Sequence, residues 1–200
     1  MILYVTPNSP YARIARIAVR EAGLLSVTTE ITARNRRDDN PVLDHSPVGR
    51  VPTLVTPTGQ VVTEVRYVVD TIAEIAGLHD MRSARSGQAG SAETEGLALG
   101  FLEGIAVWVR ENRRGVLRSP DLLAVEARRC DRCLNALDVK VQDEMLQSLP
   151  AFASITTLAA LDLMDAHKLR PSWHVAFPSL SAWFNEARTR EAAATTRPIL

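Results

Sequence analysis

The chain has 200 residues, 46% of them hydrophobic and 23% charged, a composition that can bury one large globular core or two small ones. Its 23 basic and 23 acidic side chains cancel, so no overall field draws it to nucleic acid or to an anionic membrane. No apolar run is long enough for a membrane span, the N-terminus lacks the basic and apolar regions of a signal peptide, and Cys130 and Cys133 are too few for a disulfide framework, so a reducing cytoplasm is the expected compartment.

The first segment, Ile2 to Thr6, is aliphatic and β-branched and reads as a strand. Pro7 and Asn8 interrupt it. Ser9 then stands where an N-cap belongs, Pro10 at the first helical position, and a helix to about Ala22 follows, with Ile14, Ile17, Ala18 and Val19 at helical spacing and Gly23 beyond its end. A hydroxyl at a strand-to-helix junction lies beside unpaired backbone N–H groups and a positive dipole end, which suits an anion. Val27–Thr32 reads as a second strand, Arg34–Asp39 as a charged surface loop, and Asn40–Pro41 as the cap of a short helix over Val42–His45. Arg50–Thr56 is a third strand, and Pro52 near its start marks the strand entrance or a cis bond. Pro57–Gln60 is a turn, Val61–Thr63 a fourth strand, and Glu64–Ala76 a helix burying Val65, Val68, Val69, Ile72 and Ile75 before Gly77.

This order makes a mixed α/β unit over residues 1–77. A stretch without large apolar residues, Ser83–Gly90, then reads as a linker, placed over 78–91, or as a loose helix start. From 92 to 200 the pattern is helical. Leu97, Phe101, Ile105 and Trp108 mark one helix to about Arg114, and a second opens at Ser119–Pro120 and runs to about Leu146. Ser154 caps a third, and Pro178 opens the last. The expected fold class is therefore α/β followed by an all-α bundle.

Four motifs in the same order then resemble the glutathione transferases, over essentially the whole chain. Ser9-Pro-Tyr-Ala12 resembles the family's active-site turn. Ser46-Pro-Val-Gly-Arg-Val-Pro-Thr-Leu54 resembles the segment whose second proline is cis. Gly100–Glu103 through Arg110–Arg114 is similar to the first helix of the family's α domain, and Phe177–Trp183 with Arg197–Pro198 to its C-terminal signature. The resemblance implies a thioredoxin-like N-terminal domain, a helical C-terminal domain, glutathione as co-substrate with no covalent cofactor, and a cytoplasmic homodimer working in detoxification, without nucleic acid or membrane partners.

The resemblance also implies roles for residues. Ser9 would donate a hydrogen bond to the glutathione sulfur, holding the thiolate that is the nucleophile; from local sequence alone Ser9 is simply an N-cap, and Thr6, Asn8 or Tyr4 could be the donor. Val51 would offer its backbone to the cysteinyl part, with Pro52 fixing that edge. Glu64 would meet the α-ammonium or bind its neighbouring backbone, and Arg50 would meet the glycyl carboxylate or stand as a solvated strand-edge charge. Tyr11, Trp108 and Arg110 are candidates for the electrophile pocket between the domains. Arg13, one turn into the first helix, is either functional or simply exposed, and exposure is the default reading.

Two positions depart from the family pattern. Val65 stands where a serine hydroxyl usually helps to hold the γ-glutamyl carboxylate, and losing a hydrogen bond to a charged group costs about 1.5–3 kcal/mol. Thr157 stands where the capping box of the α domain usually has Asp, which would weaken the Ser154 cap by about 1 kcal/mol. Cys130-Asp-Arg-Cys133 falls mid-helix with no helix N-terminus to activate a thiol, so it reads as two buried helix-face cysteines. His45, His79, His167 and His174 are too scattered for a metal site. The function implied is conjugation of glutathione to small apolar electrophiles. The alternatives are a glutathione-dependent isomerase or dehalogenase and a non-catalytic binding or stress-associated relative.

Overall fold

The computed structural model describes residues 1–34, 37–79, 81, 89–142 and 149–199. The expected linker stretch before Ala89 and the expected helix end near Leu146 lie outside these residues. The chain divides into two compact units, one formed by Met1–Ser83 with Glu191–Leu200 and the other by Ala84–Arg190. Residues 191–200, expected in the helical domain, thus belong with the first unit.

The first unit has the thioredoxin-like α/β build. Strands β1 (Ile2–Val5), β2 (Thr29–Thr32), β3 (Thr53–Val55) and β4 (Val61–Thr63) form one sheet in the order β2-β1-β3-β4. β1 runs parallel to β2 and antiparallel to β3, and β3 antiparallel to β4. Helix α1 (Pro10–Glu21) is the crossover between the parallel strands, as that pairing requires. It buries Ile14, Ile17, Ala18 and Val19, as their spacing predicts. Helix α2 (Val65–Ala76) packs on α1, β3 and β4, buries Val65, Val68, Val69 and Ile72, and ends at Gly77 with φ 70°. Ile75, expected on its buried side, is 41% exposed: it lies near the helix end, beyond the sheet-facing stripe. Arg16 and Arg20 of α1 both pair with Glu30 of β2, at 2.8 and 2.6 Å.

The strands are shorter than their β-branched runs suggest. Leu25–Val27 is a 3-10 turn that delays β2 to Thr29, and β3 starts only at Thr53, after the Val51–Pro52 peptide, which is cis. The short helix expected after Asn40 is a 3-10 turn, Pro41–Asp44; the Asn40 Oδ1 accepts from Val42 N at 3.3 Å while its Nδ2 donates to Gly49 O at 3.0 Å. One side chain thereby closes the loop that leads to Arg50.

The second unit is all-α: α3 (Ala89–Asn112), α4 (Pro120–Lys140), α5 (Phe152–Ala166), α6 (Trp173–Ala176) and α7 (Pro178–Ala187). A further turn, α8 (Glu191–Ala194), follows the expected last helix but packs on α1 of the first unit. α3 packs against α4 and α5 around Phe101, Leu102, Ile105, Leu134, Leu158 and Leu161. Ser119 caps α4 by accepting from Leu122 N at 3.3 Å, as its sequence signal implies.

The Ser154 cap does not form. α5 begins three residues earlier, with Ala151 at the N-cap and no side-chain cap bond, because burying Phe152 to 1% exposure extends the apolar face past the polar signal. Ser154 and Thr157 lie inside the helix, fully buried. A polar chain ties the end of α5 to α6 and α7. Asp165 accepts from Trp173 Nε1 at 2.6 Å and pairs with His174 Nε2 at 3.2 Å, and His174 Nδ1 meets Ser181 Oγ at 3.1 Å. From α4, Asp138 accepts from Leu180 N at 2.7 Å, so a neighbouring helix caps α7, whose own N-cap, Phe177, cannot.

Candidate functional site

The register of the first unit brings the sequence-predicted residues to one end of the sheet. Tyr4 pairs with Thr53, and Thr53 with Thr63. At the end marked by these three residues, β1 leaves towards Ser9, β3 arrives from Arg50, Val51 and Pro52, and β4 leaves into Glu64 and Val65. Two helix N-termini and one cis-proline turn therefore share an edge, with the Ser9 segment more than forty residues from the other two in sequence.

Ser9 has extended backbone (φ −80°, ψ 119°) and is the N-cap of α1, its Oγ accepting from Ala12 N at 3.2 Å. A hydroxyl oxygen that accepts one hydrogen bond still holds its own proton to donate. Capping and donation to an anion are therefore compatible, and the two roles considered for Ser9 do not compete. Its backbone is held in turn: Ser9 N donates to Thr6 O at 3.2 Å, and Ser9 O accepts from Arg13 N at 2.9 Å. Tyr4, 4% exposed inside β1, is core, with its ring 5.5 Å from that of His45.

Across the edge, Val51 and Pro52 are buried and Arg50 is exposed. Thr53 Oγ1 donates to Arg50 O at 2.7 Å, which fixes the main chain entering the cis bond. Glu64 is exposed and has φ 66°, an unfavourable region for a residue with a β-carbon. It precedes α2 without any side-chain cap bond, and Val65 turns inward, 6% exposed. The first turn of α2 thus presents backbone N–H groups that no cap satisfies, whereas α1 carries its own cap.

The three electrophile-pocket candidates lie in different settings. Tyr11 is half-buried in the first turn of α1. In the second unit, Trp108 is half-buried on α3 beneath the Arg170 guanidinium, 5.8 Å from the ring centroid, and Arg110 is exposed. Arg170 is itself paired with Asp131. On α4, burial pushes the Cys130 thiol up to about 12, reinforced by Asp131, and burial also raises Cys133. Both thiols are thereby kept protonated, as expected mid-helix. Among the described residues, no group of three His, Cys, Asp or Glu side chains could hold a metal, and no helix is long and apolar enough to cross a membrane.

Two features of this edge were not legible in the sequence. Arg13, expected to be exposed, is 2% exposed and donates to Ala193 O at 3.3 Å. Asn8 Oδ1 accepts from Ile199 N at 3.0 Å. Both contacts span more than 170 residues, and no local pattern encodes them.

Comparison with known proteins agrees with this geometry. Residues 8–75 match the family described as glutathione S-transferase, N-terminal domain. The chain is 27% identical over 200 residues to an uncharacterized GST-like protein, YibF, of Escherichia coli (strain K12), covering 96% of this chain and 95% of that one. Its fold is similar to that of a glutathione S-transferase from Methylobacillus flagellatus KT solved with glutathione bound, with 20% identity, 99% of each chain covered and a TM-score of 0.87. A glutathione transferase family member from Pseudomonas fluorescens Pf-5, also with bound glutathione, is 23% identical at a TM-score of 0.82, over 100% of this chain and 99% of that one. The matched N-terminal segment, the cis Val51–Pro52 bond and the Ser9-capped helix thus fall in one register, and residues 8–75 are similar to the N-terminal domain of glutathione S-transferases.

Proposed function

We propose that the chain is a glutathione transferase that adds the glutathione thiolate to small apolar electrophiles. The observation that carries this reading is Ser9, a capped helix N-terminus whose hydroxyl keeps a proton to donate. A thiol with an ordinary pKa near 8.5 is mostly protonated at neutral pH. A positive helix end and an aimed O–H favour the thiolate and hold it for attack. Proteins of similar fold have been solved with glutathione bound, which supports the same ligand here.

The remaining roles follow from position. The Val51 backbone beside Pro52 pairs with the cysteinyl peptide group, Arg50 reaches the glycyl carboxylate, and Glu64 meets the α-ammonium. The backbone N–H groups at Val65 receive the γ-glutamyl carboxylate without help from a hydroxyl. Tyr11 in the first unit, and Trp108 and Arg110 in the second, are the candidates for contact with the electrophile. The protein works as a cytoplasmic homodimer in detoxification.

A second reading, a glutathione-transferase-like binding protein without turnover, is favoured by one observation: Val65 is buried and brings no hydroxyl to the carboxylate site. Calorimetry with glutathione, together with turnover of a halonitroarene by wild type and Ser9→Ala, separates the two. Binding with turnover that Ser9→Ala lowers supports the transferase. Binding without turnover supports the second reading, and no binding at millimolar glutathione sinks both.

A further inference from the structure

We propose that the segment 191–199 is a built part of the Ser9 site, with Asn8 and Arg13 as the positioning residues through which it holds the first turn of α1. The inference rests on the glutathione reading for its catalytic consequence and on geometry alone for the clamp itself.

The two contacts bracket the turn. On one side, Ile199 N donates to Asn8 Oδ1 at 3.0 Å. On the other, Arg13 donates to Ala193 O at 3.3 Å, with its side chain 2% exposed. Between them lie Ser9, Pro10, Tyr11 and Ala12, the residues that carry the hydroxyl and the N-terminal amides. The segment is itself ordered by burial. Ala192 is 6%, Ala193 1% and Thr196 1% exposed, and Thr196 Oγ1 donates to Ala192 O at 2.7 Å. This backbone rests against α1 and presents its carbonyl to the guanidinium.

Each contact has a physical reason to act on position. Burying a guanidinium is costly unless its donors are met, and the Ala193 carbonyl meets one of them at the depth where α1 sits. Pro7 and Asn8 are exposed, and an exposed loop residue beside a helix end is where fraying starts. The Ile199 N–H removes that freedom from Asn8. It also sets the amide: Oδ1 faces the N–H, so Nδ2 faces the opposite way as a donor. The contact is made by the main chain, because the Ile199 side chain is 74% exposed. Donors held in place before an anion forms are worth more than donors that must be recruited.

The test uses the full chain. Ile199→Pro removes the N–H while leaving Asn8 intact, Asn8→Ala removes its acceptor, and Ile199→Ala, which keeps the N–H, is the matched comparison. Arg13→Met removes the second contact, and Ile199→Pro keeps the proposal testable if that variant does not fold. Without any ligand, Ile199→Pro and Asn8→Ala should speed amide exchange at Ala12 and Arg13 by roughly 5- to 20-fold relative to Ile199→Ala. With glutathione and a halonitroarene, kcat/KM should fall about 3- to 10-fold at pH 6.5 and much less at pH 9, the signature of a less stabilised thiolate. Unchanged exchange overturns the clamp. Faster exchange with a pH profile that overlays the Ile199→Ala profile overturns the positioning role and leaves a structural tether. If wild type neither binds nor turns over glutathione, the glutathione reading and the catalytic consequence fail, while the exchange result still decides the clamp.

Discussion

Two helices start at the same end of the sheet and are built in opposite ways. α1 begins at Ser9 in ordinary extended backbone, with a hydroxyl cap on Ala12 N and Pro10 in the first turn. α2 begins at Glu64 with φ 66°, no side-chain cap, and an inward-facing valine. The first helix end satisfies one of its own amides and still has a proton to offer. The second has no side-chain cap and holds Glu64 in a conformation that costs of order 1–3 kcal/mol. Under the proposed function, the γ-glutamyl carboxylate is the acceptor that this helix end lacks.

The comparison can be broken or sharpened by substitution. The largest effect is expected from Val65→Ser, which adds the missing donor at α2. Glutathione should bind roughly 10- to 100-fold more tightly by calorimetry, from about 1.5–3 kcal/mol for a hydrogen bond to a charged group. The same change removes a buried side chain, so the urea midpoint should fall. Unaltered affinity would show that the α2 amides alone suffice.

Ser9→Ala acts on the other helix end. It should lower stability by about 0.5–2 kcal/mol through the lost cap and shift the rise of kcat/KM with pH to higher pH. A stability loss with an unmoved pH profile would leave Ser9 as a cap and pass the donor role to Asn8 or Thr6.

Glu64→Gly should stabilise the chain by about 1 kcal/mol in urea unfolding, because glycine accepts a positive φ, while weakening glutathione binding through loss of the carboxylate. If the variant is less stable, Glu64 holds α2 and is not strained on behalf of a ligand.

The smallest effect is expected far from either helix end. At pH 8, Cys130 and Cys133 should alkylate slowly in the native protein, since burial raises both thiols. The sign for stability follows. Cys130 stays protonated in the fold up to about 12, so its contribution is full below the ordinary thiol range and is lost as pH climbs from there towards 12. Cys130→Ala should flatten that alkaline decline in the urea midpoint.

Much of the candidate site could be read from the sequence because its signals are local. The Ser9–Pro10 cap, the Gly77 stop and the Asn40 cap each act within a few residues, and each is present in the structure. The Val51–Pro52 bond was legible through its motif. What stayed hidden depends on packing partners distant in sequence. Ser154 has the right type for a cap, yet burial of Phe152 moved the start of α5 past it. Arg13 has the look of a solvent-facing cation, and only the return of residues 191–199 makes it internal. Ile75 continues the helical stripe of α2 in sequence but lies beyond the surface that the stripe covers.

The return of residues 191–199 also sets the order in which the molecule can be completed. The first unit is interrupted by the whole of the second, so Arg13 and its Ala193 acceptor are separated by 180 residues of synthesis. At about 5–20 residues per second, that is a delay of roughly 10–40 s. During this time the sheet and α1 have already left the ribosome with a cation and a patch of small apolar surface still uncovered. A fragment ending at Ser83 keeps that state permanently and should be prone to aggregation, whereas a protein missing only its interior helical unit would retain both pieces of the clamp. Proteolytic removal of the last ten residues is therefore expected to disturb the opposite end of the sequence more than the helices beside the cut.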